Sequence, residues 1–210
     1  MKLLVNSPVH WTAQVAKVAA ELTGQKVTVT VKDNKTYSTQ LETAEGTLND
    51  CTAIAKYLAT LGGGAMLGSN AVERAQVDQW VAFTNSTLVP CVNVVNSGVF
   101  GLPEVPMQGA WNEASKNLKA HIKMLNTALE GKQWLVGNTV TLADVIVSLS
   151  LATSFQTTLD GGFRKAMKNV GTWVEACYAL GAVTSVCGNI KLCAKALKPT
   201  CIAEKKPEKK

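Results

Sequence analysis

The 210-residue chain has few charged residues, few histidines and no closely paired cysteines. Charged residues make up 17% of it, two histidines occur, and the six cysteines stand at 51, 91, 177, 187, 193 and 201 without a C-x-x-C spacing. Zinc sites and small disulfide frameworks depend on Cys and His residues at characteristic spacings, so we expect neither a metal site nor disulfides. Free thiols are typical of a reducing compartment, which predicts a cytoplasmic protein.

The chain also lacks a long apolar run of the kind that crosses a membrane. Residues 79–103 carry no charge, but polar residues interrupt them throughout. The apolar run before Ser7 is far too short for a signal peptide. We therefore expect no membrane span.

The positive charge of the chain lies mostly at its end. Residues 191–210 hold seven of the 21 basic residues and two of the 15 acidic ones, which leaves fourteen basic and thirteen acidic residues in positions 1–190. A nucleic-acid-binding domain carries a basic face on its folded part. The nearly neutral body gives no direct signal for nucleic acid, and residues 199–210 are typical of a solvated Lys-rich linker.

The remaining sequence divides into an α/β region (1–65) and an all-helical region (70–198). The spacing of apolar residues predicts a strand at 2–6, a helix at 7–22, a strand at 26–31, a hairpin of 36–43 with 46–49, and a helix at 50–61. Ser7 is the candidate N-cap of the first helix, with Pro8 in its first turn. The order β-α-β-β-β-α indicates a βαβ unit with a small mixed sheet.

Helical spacing dominates after residue 70. Pro90 is expected to kink or end the first of these helices. A strong amphipathic pattern predicts a helix over 111–129, stopped by Gly131. Further helices are predicted at 161–167, 170–180 and 184–197.

A capping box stands at the start of the most apolar stretch of the chain. Thr141 and Asp144 have the S/T-x-x-D spacing in which the two residues bond to each other's backbone N–H groups. The carboxylate also favours the positive end of the helix dipole. We interpret Asp144 as a structural cap of a buried helix rather than as a catalytic group.

This combination of regions resembles the glutathione transferase superfamily. Its helical domain carries an S/T-x-x-D box after an apolar "LVG" lead-in, as in "LVGNTVTLAD" here. Within the superfamily, "WLVGNTVTLADVIV", "FRKAMKNVGTWVEAC" and "GNIKLCAKAL" before a Lys-rich tail are similar to the gamma-subunit family of translation elongation factor 1. The resemblance implies a truncated thioredoxin-like N-terminal domain followed by an all-helical domain.

The superfamily resemblance also indicates where a thiol site would lie. Ser7 stands where a hydroxyl would stabilise the glutathione thiolate, although a plain N-cap explains it as well. Ser38 stands where the family has a cis-proline, and Asp50 with Cys51 replaces the acidic and Ser pair that holds the glutamyl end. The segment 31–37 is too short for the helix that walls the pocket. The resemblance therefore implies a vestigial site at Ser38, Asp50 and Cys51.

Three functions remain open from the sequence. The gamma-subunit resemblance implies a non-catalytic scaffold that needs no cofactor, holds the guanine-nucleotide exchange subunits and thereby serves elongation factor 1-alpha. The first alternative is an S-transferase that uses glutathione or a glutathione conjugate, with Ser7 as its catalytic residue. The second alternative is an assembly module of an aminoacyl-tRNA synthetase complex.

A candidate partner surface lies in residues 88–106. This segment carries one charge and is broken by three prolines and two glycines, so we expect much of it to be a surface connection. Val99 and Phe100 are its candidate contact residues. They either tuck under the helical region or contact another chain, an exchange subunit or a second copy.

Overall fold

The N-terminal half is a four-stranded sheet covered by two helices. The structure, a computed structural model, describes residues 1–33, 38–101, 104–200 and 202–203. The strands are β1 (Lys2–Val5), β2 (Thr28–Val31), β3 (Thr39–Glu42) and β4 (Thr47–Asn49), and the helices are α1 (Trp11–Leu22) and α2 (Cys51–Leu61). The sheet order is β2-β1-β3-β4, with β1 parallel to β2 and antiparallel to β3.

The predicted hairpin is present in register. Leu41 on β3 lies opposite Leu48 on β4, and the Thr43 hydroxyl closes the turn by donating to the Gly46 carbonyl at 2.8 Å. Residues 36 and 37 of the predicted hairpin, and the end of the 31–37 segment, lie outside the described residues.

Helix α1 begins three residues later than the sequence predicts. The N-cap is His10, and Ser7 instead opens a turn that the His10 N–H closes by donating to the Ser7 carbonyl at 3.3 Å. The expectation of an N-cap at Ser7 is therefore wrong. Ser at the first and Pro at the second position are also the preferred residues of a β-turn, and here Pro8 serves the turn.

The remainder of the chain, which we call the helical half, is mostly helical from Ala71 to Cys187. Its helices are α3 (Ala71–Phe83), α4 (Val89–Phe100), α5 (Gln108–Ala128), α6 (Leu142–Thr157), α7 (Gly161–Ala166), α8 (Lys168–Tyr178) and α9 (Gly181–Cys187). Helix α6 lies at the centre, with nearly every side chain buried, and packs against α1, α3 and α4. The apolar face of α5 buries Leu118, Ile122 and Leu125, as its spacing predicts.

Pro90 neither ends the helical path nor opens a connection. A single π-turn (Thr84–Leu88) joins α3 to α4, and Pro90 falls in the first turn of α4. A first-turn residue needs no intrahelical partner for its N–H, so proline is tolerated there. The prediction that residues 88–106 form largely a connection is wrong, because most of the segment is α4.

The prediction of a helix over 184–197 is wrong for the residues beyond Cys187, where α9 ends. Gly188 adopts a positive φ of 69°, and the described residues after it, 189–200 and 202–203, contain no helix; we call them the C-terminal strap. The strap is tied to the helices by backbone bonds, including Cys193 N–H to the Phe155 carbonyl at 2.9 Å and Leu197 N–H to the Thr157 carbonyl at 2.7 Å.

The strap extends into the region predicted to be a solvated linker. Thr200 N–H donates to the Gly98 carbonyl at 3.1 Å, and Ala203 N–H donates to the Pro106 carbonyl at 2.9 Å. Residues 199–203 of the predicted linker therefore follow the body of the protein where they are described. Cys201 and residues 204–210 lie outside the described residues.

Among the described residues, no single helix has both the length and the apolar content to span a bilayer. Helices α8 and α9 have that length and apolar content only when they are taken together, and they are bent by 71° at their junction. The described cysteines, which are 51, 91, 177, 187 and 193, are free thiols as the sequence predicts.

Candidate functional site

An open cleft of about 710 Å³ separates the N-terminal half from the helical half. The polar side chains that line it are Ser7, His10, Asn93, Asn96, Ser150 and Thr153. Val9, Trp11, Val92 and Phe100 supply its apolar surface. Among the residues that the structure describes, no Lys, Arg, Asp or Glu lines the cleft, so these residues offer hydrogen bonds and apolar contact without a formal charge.

Ser7 lies in this cleft beside His10. Because Ser7 is released from the capping role, its hydroxyl is available to the cleft. Surrounding protein atoms lower the pKa of His10 below its ordinary value, although its ring reaches solvent. A neutral imidazole at physiological pH brings no positive charge to stabilise a thiolate at Ser7.

Thr12 connects the cleft to Ser38. The His10 Nδ1 atom lies 2.9 Å from the Thr12 hydroxyl oxygen, which accepts a hydrogen bond from the Thr39 hydroxyl at 3.0 Å. The Ser38 hydroxyl lies 3.4 Å from the same Thr12 oxygen. The structure therefore places Ser7 and Ser38 along one edge of the sheet, joined through His10 and Thr12.

Asp50 and Cys51 lie at the start of α2 on the same sheet edge. The Asp50 carboxylate accepts from the N–H groups of Thr52 at 2.8 Å and Ala53 at 3.1 Å, and its own N–H donates to the Thr39 carbonyl. Burial, together with the Asp50 charge, raises the pKa of Cys51 to about 12. Asp50 thus caps a helix, and Cys51 is held as a protonated thiol. No three His, Cys, Asp or Glu side chains of the described chain are arranged to bind a metal.

The predicted capping box forms at the start of α6 and has two further partners. Asp144 Oδ2 accepts from the Thr141 N–H at 2.9 Å and from the Thr141 hydroxyl at 3.0 Å. Asp144 Oδ1 accepts from the Leu135 N–H and from the Trp173 indole N–H, each at 2.9 Å. Burial raises the pKa of Asp144, and these hydrogen bonds oppose the rise. The Asp144 carboxylate has a structural role and is not among the residues that line the cleft.

Sequence reasoning missed most of the cleft. Asn93, Asn96, Ser150 and Thr153 lie on α4 and α6, where their spacing gives no signal beyond ordinary helix. Asn96 is fixed by the Ser154 hydroxyl, which donates to its side-chain oxygen at 3.3 Å. Only the assembly of both halves of the protein brings these side chains opposite Ser7.

The candidate partner residues lie at the C-terminal end of α4. Phe100 is 52% exposed at the mouth of the cleft, whereas Val99 is half-buried. Val105 and Met107 are also exposed, and the strap joins this region by contacting Gly98 and Pro106. Packing under the helical region therefore describes Val99 better than Phe100, and Phe100 remains a candidate contact residue.

Comparison with known proteins shows which fold this architecture shares. Residues 99–180 match the family described as glutathione S-transferase, C-terminal domain. The GST-like domain of elongation factor 1-gamma from Saccharomyces cerevisiae superimposes with a TM-score of 0.82 at 17% identity, covering 94% of this chain and 97% of that one. Glutathione S-transferase-I, solved with lactoylglutathione, superimposes with a TM-score of 0.78 at 20% identity, covering 89% and 97%. The expected transferase-like fold is confirmed.

The sequence comparison is more specific than the fold. Elongation factor 1-gamma-A of Xenopus laevis is 32% identical over 148 residues, which is 70% of this chain and 33% of that protein. The resemblance to the elongation factor 1-gamma family is confirmed. The chain spans about a third of the length of the relatives that it matches.

Proposed function

The chain has the glutathione transferase fold and its sequence matches elongation factor 1-gamma, and from these findings we propose that it is a non-catalytic scaffold of the translation elongation factor 1 complex. In this role it holds the guanine-nucleotide exchange subunits and so serves elongation factor 1-alpha indirectly. The sequence match is the observation that carries the proposal.

The chemistry of the cleft supports a role without thiol activation. A glutathione thiolate needs positive charge or strong donors, but the lowered pKa of His10 favours a neutral ring, and no Lys or Arg of the described part of the chain lines the cleft. The Asp50 carboxylate is engaged by two backbone N–H groups of its own helix. Cys51 is buried and keeps its proton, so it supplies no nucleophile.

A thiol S-transferase remains the second candidate because of one observation. Ser7 lines an open cleft of about 710 Å³ and has no capping role, so its hydroxyl could meet the thiol of glutathione or of a bulkier glutathione conjugate. No observation here favours the assembly module of an aminoacyl-tRNA synthetase complex.

Association with an exchange subunit tests the scaffold proposal. We would mix the chain with each exchange subunit of the complex and measure the mass of the eluted species by light scattering. We expect a stoichiometric complex. Phe100→Asp should weaken it without lowering the melting temperature, because the ring is already exposed.

Val72→Asp is the matched control for that variant. Val72 is 67% exposed in the first turn of α3, where an added carboxylate suits the helix dipole. This variant should bind as the parent does. Failure of the parent chain to bind any exchange subunit would refute the scaffold proposal, and equal binding by both variants would refute Phe100 as a contact residue.

A further inference from the structure

A second, smaller cavity lies between α4, α5 and the C-terminal strap. Its volume is about 100 Å³ and it is partly open to solvent. Its apolar wall consists of Val95, Trp111, Leu118, Leu159 and Leu197. A cavity of this size and lining accommodates one aliphatic side chain.

Ser115 lines this cavity and holds an unsatisfied hydroxyl beside it. Its hydroxyl oxygen is buried and has no hydrogen-bond partner among the described residues. Other helical hydroxyls of the protein bond back to their own helix, as Thr84 does to the Trp80 carbonyl and Thr127 to the Lys123 carbonyl. After a rotamer change that turns the Ser115 hydroxyl toward the cavity, an incoming backbone amide would satisfy it, whereas a purely apolar occupant would leave it unpaired.

The cavity is preformed because the ring of Trp111, which forms part of its wall, is held in place. Its indole N–H donates to the Val95 carbonyl at 3.2 Å, which fixes the ring against α4. The ring packs over Gly98 so closely that a Cβ atom there would come within 2.2 Å of it. With its N–H engaged and one side covered, this indole is poorly placed to stack on a nucleic-acid base.

One lysine lines the cavity and three more stand close to its lining residues in the chain, and we call these four the lysine rim. Lys119 lines the cavity, Lys116 lies one turn before it on α5, and Lys195 and Lys198 flank the strap residues that form its outer wall. All four lysines are exposed.

Two acidic residues lie near this rim. Glu113 precedes Lys116 on α5, and Asp160 follows the wall residue Leu159 in the chain. The Asp160 carboxylate accepts from the Phe163 N–H at 2.8 Å and caps α7. The rim is therefore net positive on a body that is nearly neutral.

From this geometry we propose that the cavity and its lysine rim form a docking site for an acidic protein segment that inserts one leucine-sized side chain. The apolar wall receives the side chain, the Ser115 hydroxyl pairs with the segment's backbone, and the lysines meet its carboxylates. The charge of the rim selects an acidic occupant, and the apolar cavity selects a protein rather than a nucleic acid.

A short acetylated and amidated peptide with one leucine among glutamates and serines is the probe. We would titrate it into isotope-labelled protein and follow backbone amide shifts by NMR. The expected shifts centre on Ser115, Lys119 and Leu197. Replacing the leucine by glutamine should weaken binding roughly tenfold or more, and replacing the glutamates by lysine should abolish it.

Two protein variants and a control complete the test. Lys119→Glu should weaken the peptide about fivefold, and Ser115→Ala should weaken it while leaving the fold intact, because it removes an unpaired hydroxyl. Lys26→Glu changes an exposed lysine of the N-terminal half and should bind as the parent does.

Three outcomes would overturn the proposal. If the leucine peptide caused no amide shifts at the cavity, the cavity would not be a docking site. Equal binding of the leucine and glutamine peptides would reduce it to general attraction by surface lysines. Stronger binding of a short single-stranded RNA, weakened by Lys119→Glu, would make it a nucleic-acid surface.

Discussion

At the scale of single residues, Asp144 joins three parts of the helical half. Its two carboxylate oxygens accept from Thr141 beside it, from Leu135 in the preceding loop and from Trp173 on α8. The residue is 0% exposed, so no solvent can replace these bonds if the carboxylate is removed. One side chain thus positions α6, its lead-in loop and α8 relative to one another.

Asp144→Ala should lower the free energy of unfolding by about 3–5 kcal/mol, because it leaves several buried donors unpaired. Urea denaturation at neutral pH measures this loss. Asn70→Ala removes an exposed N-cap of α3 and is the matched control, with an expected loss of about 1 kcal/mol. Similar losses in both variants would show that the extra bonds from Leu135 and Trp173 contribute little.

The Asp144 and Asp160 carboxyls should show opposite pH dependence. Burial raises the pKa of Asp144, so the folded protein holds this proton more tightly than the unfolded chain does. The contribution of Asp144 to stability should therefore increase as the pH falls from neutral toward about 4. The Phe163 N–H lowers the pKa of Asp160, whose contribution should hold down to about pH 4 and be lost below it.

The measurement is the difference in unfolding free energy between the parent and each alanine variant, followed across that pH range. A decreasing difference for Asp144→Ala between neutral pH and about 4 would mean that its hydrogen bonds outweigh burial and lower its pKa.

The sequence predicts only the local part of such a site. Thr141 and Asp144 stand three residues apart, and a capping box is a local pattern. Leu135 and Trp173 are nine and 29 residues from Asp144, and nothing in their own surroundings indicates that they donate to it. Ser7 is predicted as a site residue from its place before the first helix and from the family resemblance. Asn93 and Thr153 carry no such signal, because they reach the cleft only when the two halves of the protein pack together.

At the scale of elements, α4 and α5 meet where Gly98 faces Trp111. A Cβ atom on Gly98 would lie 2.2 Å from the Trp111 ring, which is itself fixed by a hydrogen bond to Val95. Gly98→Ala should therefore destabilise the protein by about 1–3 kcal/mol despite the better helix propensity of alanine.

Gly109→Ala is the control for this contact. Gly109 lies in the first turn of α5, and an added Cβ there meets nothing within 4 Å. Its stability should stay unchanged or rise slightly, since alanine favours a helix. Thermal unfolding of both variants decides the matter, and an unchanged melting temperature for Gly98→Ala would show that the ring moves aside without cost.

Elements with a strong local signal were predictable, and those decided by competing signals were not. Helices α2, α5 and α6 combine regular apolar spacing with clear caps or stops, and all three form where expected. Ser7 and Pro8 suit both a cap and a turn, and the turn prevails. The strap has helical spacing, but the positive φ of Gly188 and the backbone bonds from Cys193 and Leu197 to α6 keep it out of a helix.

At the scale of the whole molecule, the chain has the fold of a glutathione transferase, and the described residues that line its cleft include no Lys, Arg, Asp or Glu. The cleft has hydroxyls, amides and a neutral imidazole on its walls. The family resemblance implies that Asp50 and Cys51 are remnants of a thiol site; in the structure, Asp50 caps a helix and Cys51 is buried in the core. These features support the scaffold role proposed above.

The initial rate of conjugation of millimolar glutathione to an aryl halide tests this account most directly. We would measure the rate for the parent chain and for Ser7→Ala, against the reaction without protein. The account predicts that both proteins give the uncatalysed rate. A rate that saturates with glutathione in the parent and falls to the uncatalysed level in Ser7→Ala would contradict it and establish a transferase.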